Sequence, residues 1–150
     1  MHTNRPATRL TPRSRMGGVT LIELMIVIVI VGILASIAVP SYRNYVMRAQ
    51  RTDAMSALLR VAAAQEKFYL QNNTYAGTAL LDDAPPAGLG INGTDNGWYT
   101  LSVSGADLTA AFTVTATAIA GGAQGVDTHC ATFSLTSTGQ KTATNTDCWR

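Results

Sequence analysis

The first third of the chain contains one apolar run that is long enough to span a lipid bilayer. Residues 24–39 read LMIVIVIVGILASIAV without a charge, and the apolar character extends back to Val19 with one interruption at Glu23. A helix from Val19 to Val39 would be about 31 Å long, close to the thickness of a bilayer's hydrocarbon core. The pattern therefore predicts a membrane-spanning helix over residues 19–39.

After Pro40 the pattern becomes amphipathic. Apolar residues recur at spacings of three and four as far as Asn72, with basic and acidic residues between them. This periodicity predicts a helix with one buried face over residues 40–72. The side expected to pack on the rest of the chain is formed by Met55, Leu58, Leu59 and Ala62.

Gly32 and Pro40 weaken the helix where its two halves meet. Glycine has a low helix propensity, and proline removes a backbone donor and clashes with the preceding turn. We therefore expect a bend near residues 36–40.

The rest of the chain predicts an irregular loop followed by a small antiparallel sheet. Residues 73–97 contain five glycines and little periodicity, which is typical of a long connection. Three later segments alternate apolar and polar positions and are predicted strands: Trp98–Ser104, Ala111–Ala118 and Cys130–Thr136. A turn over Ser137–Gln140 leads into a final extended piece. Packing the apolar face of this sheet on the helix gives an α+β fold.

The charges are distributed unevenly along the chain. Four arginines and no acidic residue precede residue 19, whereas residues 19–150 carry seven basic and nine acidic side chains. The positive-inside rule predicts that the arginine-rich leader stays in the cytoplasm and that the chain after Pro40 lies outside it. The acidic excess argues against non-specific nucleic-acid binding by that part.

Cys130 and Cys148 are the only cysteines. In an extracytoplasmic compartment such a pair is most simply a disulfide, which would stabilise the fold by about 3 kcal/mol. The alternative is a metal site that also uses Asp127 and His129, but the spacing lacks the ligand pairs of metal sites. We expect no metal and no cofactor.

Catalytic motifs are absent from the sequence. There is no HExxH, no GxSxG and no phosphate-binding glycine loop, and His129 is the only histidine after residue 18. We therefore predict that the protein is not an enzyme.

Three interpretations compete for the N-terminal segment. A secretory signal peptide would use the small-residue site Ser36-Ile37-Ala38, and a plain single-span anchor would need no site at all. Neither accounts for Glu23, because an ionisable group in hydrocarbon is costly unless it has a partner or a function.

The third interpretation rests on the string from Met16 to Glu23, MGGVTLIE. It resembles the processing site of type IV prepilins, in which a dedicated prepilin peptidase cuts after a glycine and the new N-terminal amine is methylated. The resemblance implies cleavage between Gly18 and Val19 and N-methylation of Val19, where family members most often have phenylalanine. It also gives Pro40 the position of the family's helix-bending proline.

Glu23 then has a physical role in assembly. A positive amine on Val19 of one subunit would neutralise the Glu23 carboxylate of its neighbour within an apolar filament core. A subunit docked with the wrong stagger would leave an unpaired charge in a dry environment, so we expect Glu23 to set the stagger.

Motifs in the remainder extend the resemblance to nearly the whole chain. Those similar to the PilE-like subgroup of type IV pilins are Gln65–Tyr69, Asn73–Tyr75, Asp127–Cys130, Gly139–Lys141 and Cys148-Trp149. A C-terminal loop closed by the last two cysteines is also what type IV pilins carry. The implied divisions are a leader over 1–18, a transmembrane and filament-core helix over 19–39, an amphipathic helix over 40–72, an αβ-loop over 73–97, and a sheet with a disulfide-bounded C-terminal region over 98–150.

The resemblance implies a structural subunit, most simply a PilE-like minor pilin. Such a subunit is held in the inner membrane with its C-terminus in the periplasm. Pilus assembly machinery then polymerises it with other pilins into an extracellular filament for adhesion, twitching motility or DNA uptake. Two alternatives remain: a type II secretion pseudopilin, and a DNA-binding minor pilin that acts as a receptor in natural transformation. The candidate DNA contacts are Lys141, Trp149 and Arg150, and DNA is not the favoured partner.

Overall fold

The computed structural model describes residues 18–149, which form one long helix, a four-stranded antiparallel sheet and two short 3-10 helices. Helix α1 spans Leu21–Asn72, and the strands are β1 (Tyr99–Ser104), β2 (Thr113–Ala118), β3 (Thr132–Thr136) and β4 (Lys141–Ala143). The 3-10 helices are Thr78–Leu80 and Thr128–Cys130. The chain divides after Pro40 into two compact units, described in turn.

The described part of the first unit is dominated by an exposed apolar helix. Every large apolar side chain from Leu21 to Val39 is about half exposed or more, and an 18-residue window of the helix reaches a mean hydropathy of 2.9 with no residue buried. This helix is long and apolar enough to cross a membrane. It begins at Leu21 because Thr20 caps it: Glu23 N donates to Thr20 Oγ1 at 3.3 Å. Pro40 lies within α1, and the bend expected there stays a prediction.

In the second unit one stripe of α1 enters the hydrophobic core. Its fully buried apolar members are Ala54, Ala57, Leu58 and Val61, and Phe68 is 7% exposed. Met55 and Ala62 are partly buried against the same core, as predicted. The prediction for Leu59 was wrong, because this side chain is 51% exposed. Successive helix residues are rotated by about 100°, so Leu58 and Leu59 cannot both face the sheet.

The sheet has the order β1-β2-β3-β4 with every neighbouring pair antiparallel, which confirms the predicted architecture. Its inner face carries Val114, Ala116, Phe133 and Leu135, all buried. The strands begin later than predicted. Cys130 belongs to a 3-10 helix instead of β3, because its backbone N–H donates to the Asp127 side chain at 3.3 Å.

The segment between α1 and β1 is irregular, as predicted, apart from the 3-10 turn at Thr78–Leu80. The buried side chain of Gln65 on α1 holds the first part of this loop in place. Gln65 Nε2 donates to Ala76 O at 2.6 Å, and Ala76 N donates to Gln65 Oε1 at 2.7 Å. The side-chain amide of Gln65 thus makes the two hydrogen bonds to the Ala76 backbone that a neighbouring strand would make. Both polar groups of Ala76 are thereby satisfied.

Two threonine hydroxyls cover the outer edge of β1. Thr78 Oγ1 accepts from Val103 N at 2.7 Å and donates to Val103 O at 2.8 Å. In the same way, Thr94 Oγ1 accepts from Tyr99 N at 3.3 Å and donates to Tyr99 O at 3.5 Å. Two of the outward-facing backbone positions on this edge are therefore occupied.

Candidate functional site

The residues predicted for processing and assembly lie in one exposed segment. Gly18 and Val19 precede α1, and a Cβ built on Gly18 would meet nothing within 4 Å. Val19 is 72% exposed, and Glu23 lies exposed in the first turn of α1. Among the described residues, nothing crowds the Gly18–Val19 bond. Cleavage, methylation and the assembly role of Glu23 stay predictions.

The C-terminal region is closed by the predicted disulfide between Cys130 and Cys148, and both residues are buried. The bond encloses β3 and β4. The ligand atoms of His129, Cys130 and Cys148 lie within 4.8 Å of one another. Because the two sulfurs are bonded to each other, neither has a thiolate to offer a metal, and the alternative metal site fails on this ground.

An ion pair joins α1 to Asp127, three residues before the disulfide-bonded Cys130. Arg51 Nε and Nη2 donate to the two carboxylate oxygens of Asp127 at 2.6 and 2.9 Å. Gln124 Nε2 donates to the same carboxylate at 2.8 Å, so its buried charge is well solvated by protein donors. The hydrogen bonds to Asp127 raise the pKa of Arg51 despite its partial burial.

Sequence reasoning missed this pair. Arg51 was one of the charged residues between the apolar positions of the helix, and Asp127 was considered as a metal ligand and as part of a pilin-like motif. The two residues are 76 positions apart, and no local spacing signals their contact.

Next to the ion pair lies a second polar feature that the sequence did not indicate. Tyr99 is 2% exposed and Gln124 is fully buried. Within the described part of the chain, Tyr99 Oη and Gln124 Oε1 have no hydrogen-bond partner. Burial raises the pKa of Tyr99 to about 12, because the phenolate would lose its hydration.

The structure brings together two of the three candidate DNA contacts. Lys141 Nζ lies 5.2 Å from the centroid of the Trp149 ring, and Trp149 Nε1 donates to Thr142 O at 2.7 Å. Arg150 lies outside the described residues. Lys141 covers one face of the indole, while the ring packs edge-on against Phe133 with centroids 5.8 Å apart. The Trp149 ring is therefore fixed by its hydrogen bond and its contact with Phe133, and the Lys141 ammonium group lies over its face.

The same C-terminal part of the chain also carries acidic groups. His129 Nε2 lies 3.1 Å from Asp147 Oδ2, and Asn145 Nδ2 donates to His129 O at 2.6 Å. Residues 73–149 contain one lysine, no arginine and six aspartates. This region does not carry the cluster of cations that tracks a phosphate backbone.

These features define the class of protein. An exposed apolar N-terminal helix continues into a helix that packs on an antiparallel sheet, and a disulfide closes the C-terminal region. This is the architecture of a type IV pilin.

Comparison with known proteins identifies the family. Residues 40–148 match the model described as "Type IV minor pilin ComP, DNA uptake sequence receptor", and residues 13–39 match the "Prokaryotic N-terminal methylation motif". The chain belongs to this family of type IV pilins.

Individual relatives are pilins and fimbrial proteins. Fimbrial protein EcpC of Eikenella corrodens is 38% identical over 112 residues, which are 72% of this chain and 69% of EcpC. Type IV major pilin protein PilE1 of Neisseria gonorrhoeae is 46% identical over 76 residues, and the match spans 44% of PilE1. A solved type IV pilin from Shewanella oneidensis is 24% identical with a TM-score of 0.49, covering 69% of this chain and 98% of that one.

Proposed function

We propose that this type IV pilin is a PilE-like minor subunit, stored in the inner membrane and polymerised with other pilins into an extracellular filament. The observation that carries the proposal is the exposed apolar helix, which carries Glu23 in its first turn and follows the exposed residues Gly18 and Val19. A helix with no buried residue in its apolar window needs a lipid bilayer or other apolar helices around it. A minor role is favoured by the family model, which describes a minor pilin.

The proposed processing follows from the same segment. Prepilin peptidase removes residues 1–18 on the cytoplasmic side, and the freed amine of Val19 is methylated. The arginine-rich leader supports this orientation, which leaves the C-terminus in the periplasm. In the filament the Val19 amine of one subunit neutralises Glu23 of another.

The N-terminus is the first thing to measure. Mass spectrometry on filaments sheared from the native host should find a chain that begins with methylated Val19. A chain that retains residues 1–18, or that begins after Ala38, would contradict the processing. Gly18 replaced by a bulky residue should leave the leader attached.

The assembly role of Glu23 is tested by Glu23→Ala, with Glu66→Ala as the matched control. Glu66 is an exposed glutamate on the same helix, outside the apolar half. We expect both variants to reach the membrane and only Glu23→Ala to be depleted from filaments. Equal incorporation of the two variants would remove the proposed role of Glu23.

A second candidate function is DNA reception in natural transformation. The description of the matching family favours it, and the Lys141–Trp149 pair supplies a cation and an aromatic ring on the C-terminal surface. Against it stand the six aspartates of the same region. If the surface binds DNA, Lys141→Ala should weaken binding of labelled duplex DNA and reduce its salt dependence, whereas Lys67→Ala on α1 should not. Equal effects of the two variants would contradict a site at Lys141.

The relatives reported above also bear on the pseudopilin alternative. They are pilins and fimbrial proteins, which supports a pilus over a type II secretion pseudopilus.

A further inference from the structure

The loop before β1 contains two asparagine–glycine pairs, Asn92-Gly93 and Asn96-Gly97. In such a pair the backbone nitrogen of glycine can attack the side-chain amide carbon of asparagine. Glycine offers the least hindered approach, because it has no Cβ beside the attacking nitrogen. The two pairs lie in the same loop and both asparagines are exposed, so the bulk pH is the same for both.

The attacking nitrogen is free in one pair and bonded in the other. Gly97 N donates to Thr94 O at 3.1 Å, and Asn96 N donates to Asp53 Oδ2 at 3.4 Å. Among the described residues, no hydrogen-bond acceptor is found for Gly93 N. Both asparagines are exposed, and a Cβ built on either glycine would meet nothing within 4 Å, so access to the backbone does not distinguish the two pairs. The two pairs differ in their backbone hydrogen bonds: Asn96-Gly97 is held by two, whereas the attacking nitrogen of Gly93 has none among the described residues.

We propose that Asn92 is a site of spontaneous deamidation in the folded protein and that the fold protects Asn96. Gly93 N loses its proton to hydroxide and bonds to Asn92 Cγ. The bond from Cγ to the side-chain nitrogen breaks, and that nitrogen leaves as ammonia. Water then opens the succinimide ring at either carbonyl and leaves aspartate or isoaspartate at position 92. The step consumes one water and requires no redox partner.

The product changes the surface of the loop. Asn92 lines the same groove as Asp82 and Leu101, so a second carboxylate is added to this groove. The isoaspartate form also lengthens the backbone by one methylene. A pilin that stays in an extracellular filament would accumulate both changes with age.

The test compares the two asparagines in one molecule. Full-length protein in detergent is incubated at mildly alkaline pH and sampled over time. Cleavage after Leu89 and Trp98 releases both asparagines in one peptide, and fragment masses assign the amide-to-acid change to either position. We expect Asn92 to convert at least about tenfold faster than Asn96, equivalent to about 1.4 kcal/mol in activation free energy. Equal rates in the folded chain, or faster conversion of Asn96, would overturn the proposal.

Two controls separate the effect of the fold from that of the local sequence. In denaturant the two asparagines should convert at similar rates, because the bonds that hold Asn96-Gly97 are lost. A persistent difference there would assign the selectivity to sequence and contradict protection by the fold. Asn96→Gln should leave the rate at Asn92 unchanged, and Asn92→Gln should remove the rapid reaction.

Discussion

The ion pair between Arg51 and Asp127 should contribute substantially to the stability of the second unit. Asp127→Asn keeps the size of the side chain but removes its charge and one acceptor oxygen. The Asp127 side chain is 3% exposed and that of Arg51 is 18% exposed, so the guanidinium would lose its counterion in a largely dry place. Breaking a buried ion pair costs about 3–5 kcal/mol. Because Arg51 keeps some contact with water, we expect the free energy of unfolding to fall by about 2–3 kcal/mol.

An exposed ion pair between Arg60 and Asp95, also among the described residues, supplies the matched control. Arg60 Nη1 lies 2.7 Å from Asp95 Oδ1, but these side chains are 45% and 64% exposed. Asp95→Asn should therefore change the stability by less than about 1 kcal/mol.

Tryptophan fluorescence during urea unfolding of the full chain in detergent measures these differences. Both tryptophans, Trp98 and Trp149, lie in the unit that contains the ion pairs. The double variant Arg51→Met with Asp127→Asn should recover part of the loss, because no buried charge is then left unpaired. If Asp127→Asn costs no more than Asp95→Asn, the reasoning from burial is refuted.

Three further changes probe the same unit by urea unfolding. The pKa of Tyr99 is raised to about 12, so the folded form retains a proton that the unfolded chain loses near pH 10. Stability should fall as the pH rises from about 10 to about 12, by up to about 2.7 kcal/mol. Tyr99→Phe should lack that loss, and an unchanged alkaline loss would contradict the assignment. Cys148→Ser should lower the free energy of unfolding by about 3 kcal/mol. Dithiothreitol should destabilise the wild type but not this variant. Equal sensitivity of the two proteins would count against the disulfide with Cys130. Gln65→Leu leaves the buried N–H and C=O of Ala76 unpaired and should cost about 2–4 kcal/mol, whereas a neutral effect would show that water replaces the amide.

Features governed by local periodicity were predictable from the sequence. The alternation of β2, with Val114 and Ala116 between threonines, identified both the strand and its buried face. The spacing of three and four along α1 identified the buried stripe but not its limits. Leu59 was assigned to the core because leucine is apolar, yet its direction is set by its neighbours on the helix.

Contacts between distant segments were not predictable in the same way. The carboxylate of Asp127 accepts hydrogen bonds from Arg51, which lies 76 residues earlier in the chain, and neither local sequence predicts this contact. The disulfide was predictable because only two cysteines exist, so there was one pairing to consider. The alternation of β1 places Tyr99 on the same face as Leu101 and Val103, but whether its hydroxyl finds a hydrogen-bond partner depends on distant segments and required the packed structure.

The threonine-covered edge of β1 matters for a protein that works in dense assemblies. Type IV pilins are concentrated first in a membrane and then in a polymer. At such concentrations, exposed strand edges of adjacent copies would tend to form backbone hydrogen bonds and extend into amyloid-like stacks. Thr78 and Thr94 occupy the hydrogen-bonding positions that an incoming strand would need at Val103 and Tyr99. Each threonine hydroxyl fills the hydrogen-bonding positions of one strand residue and offers no further backbone for another strand to join. Strand addition along β1 is therefore blocked at two positions, which favours polymerisation through other surfaces.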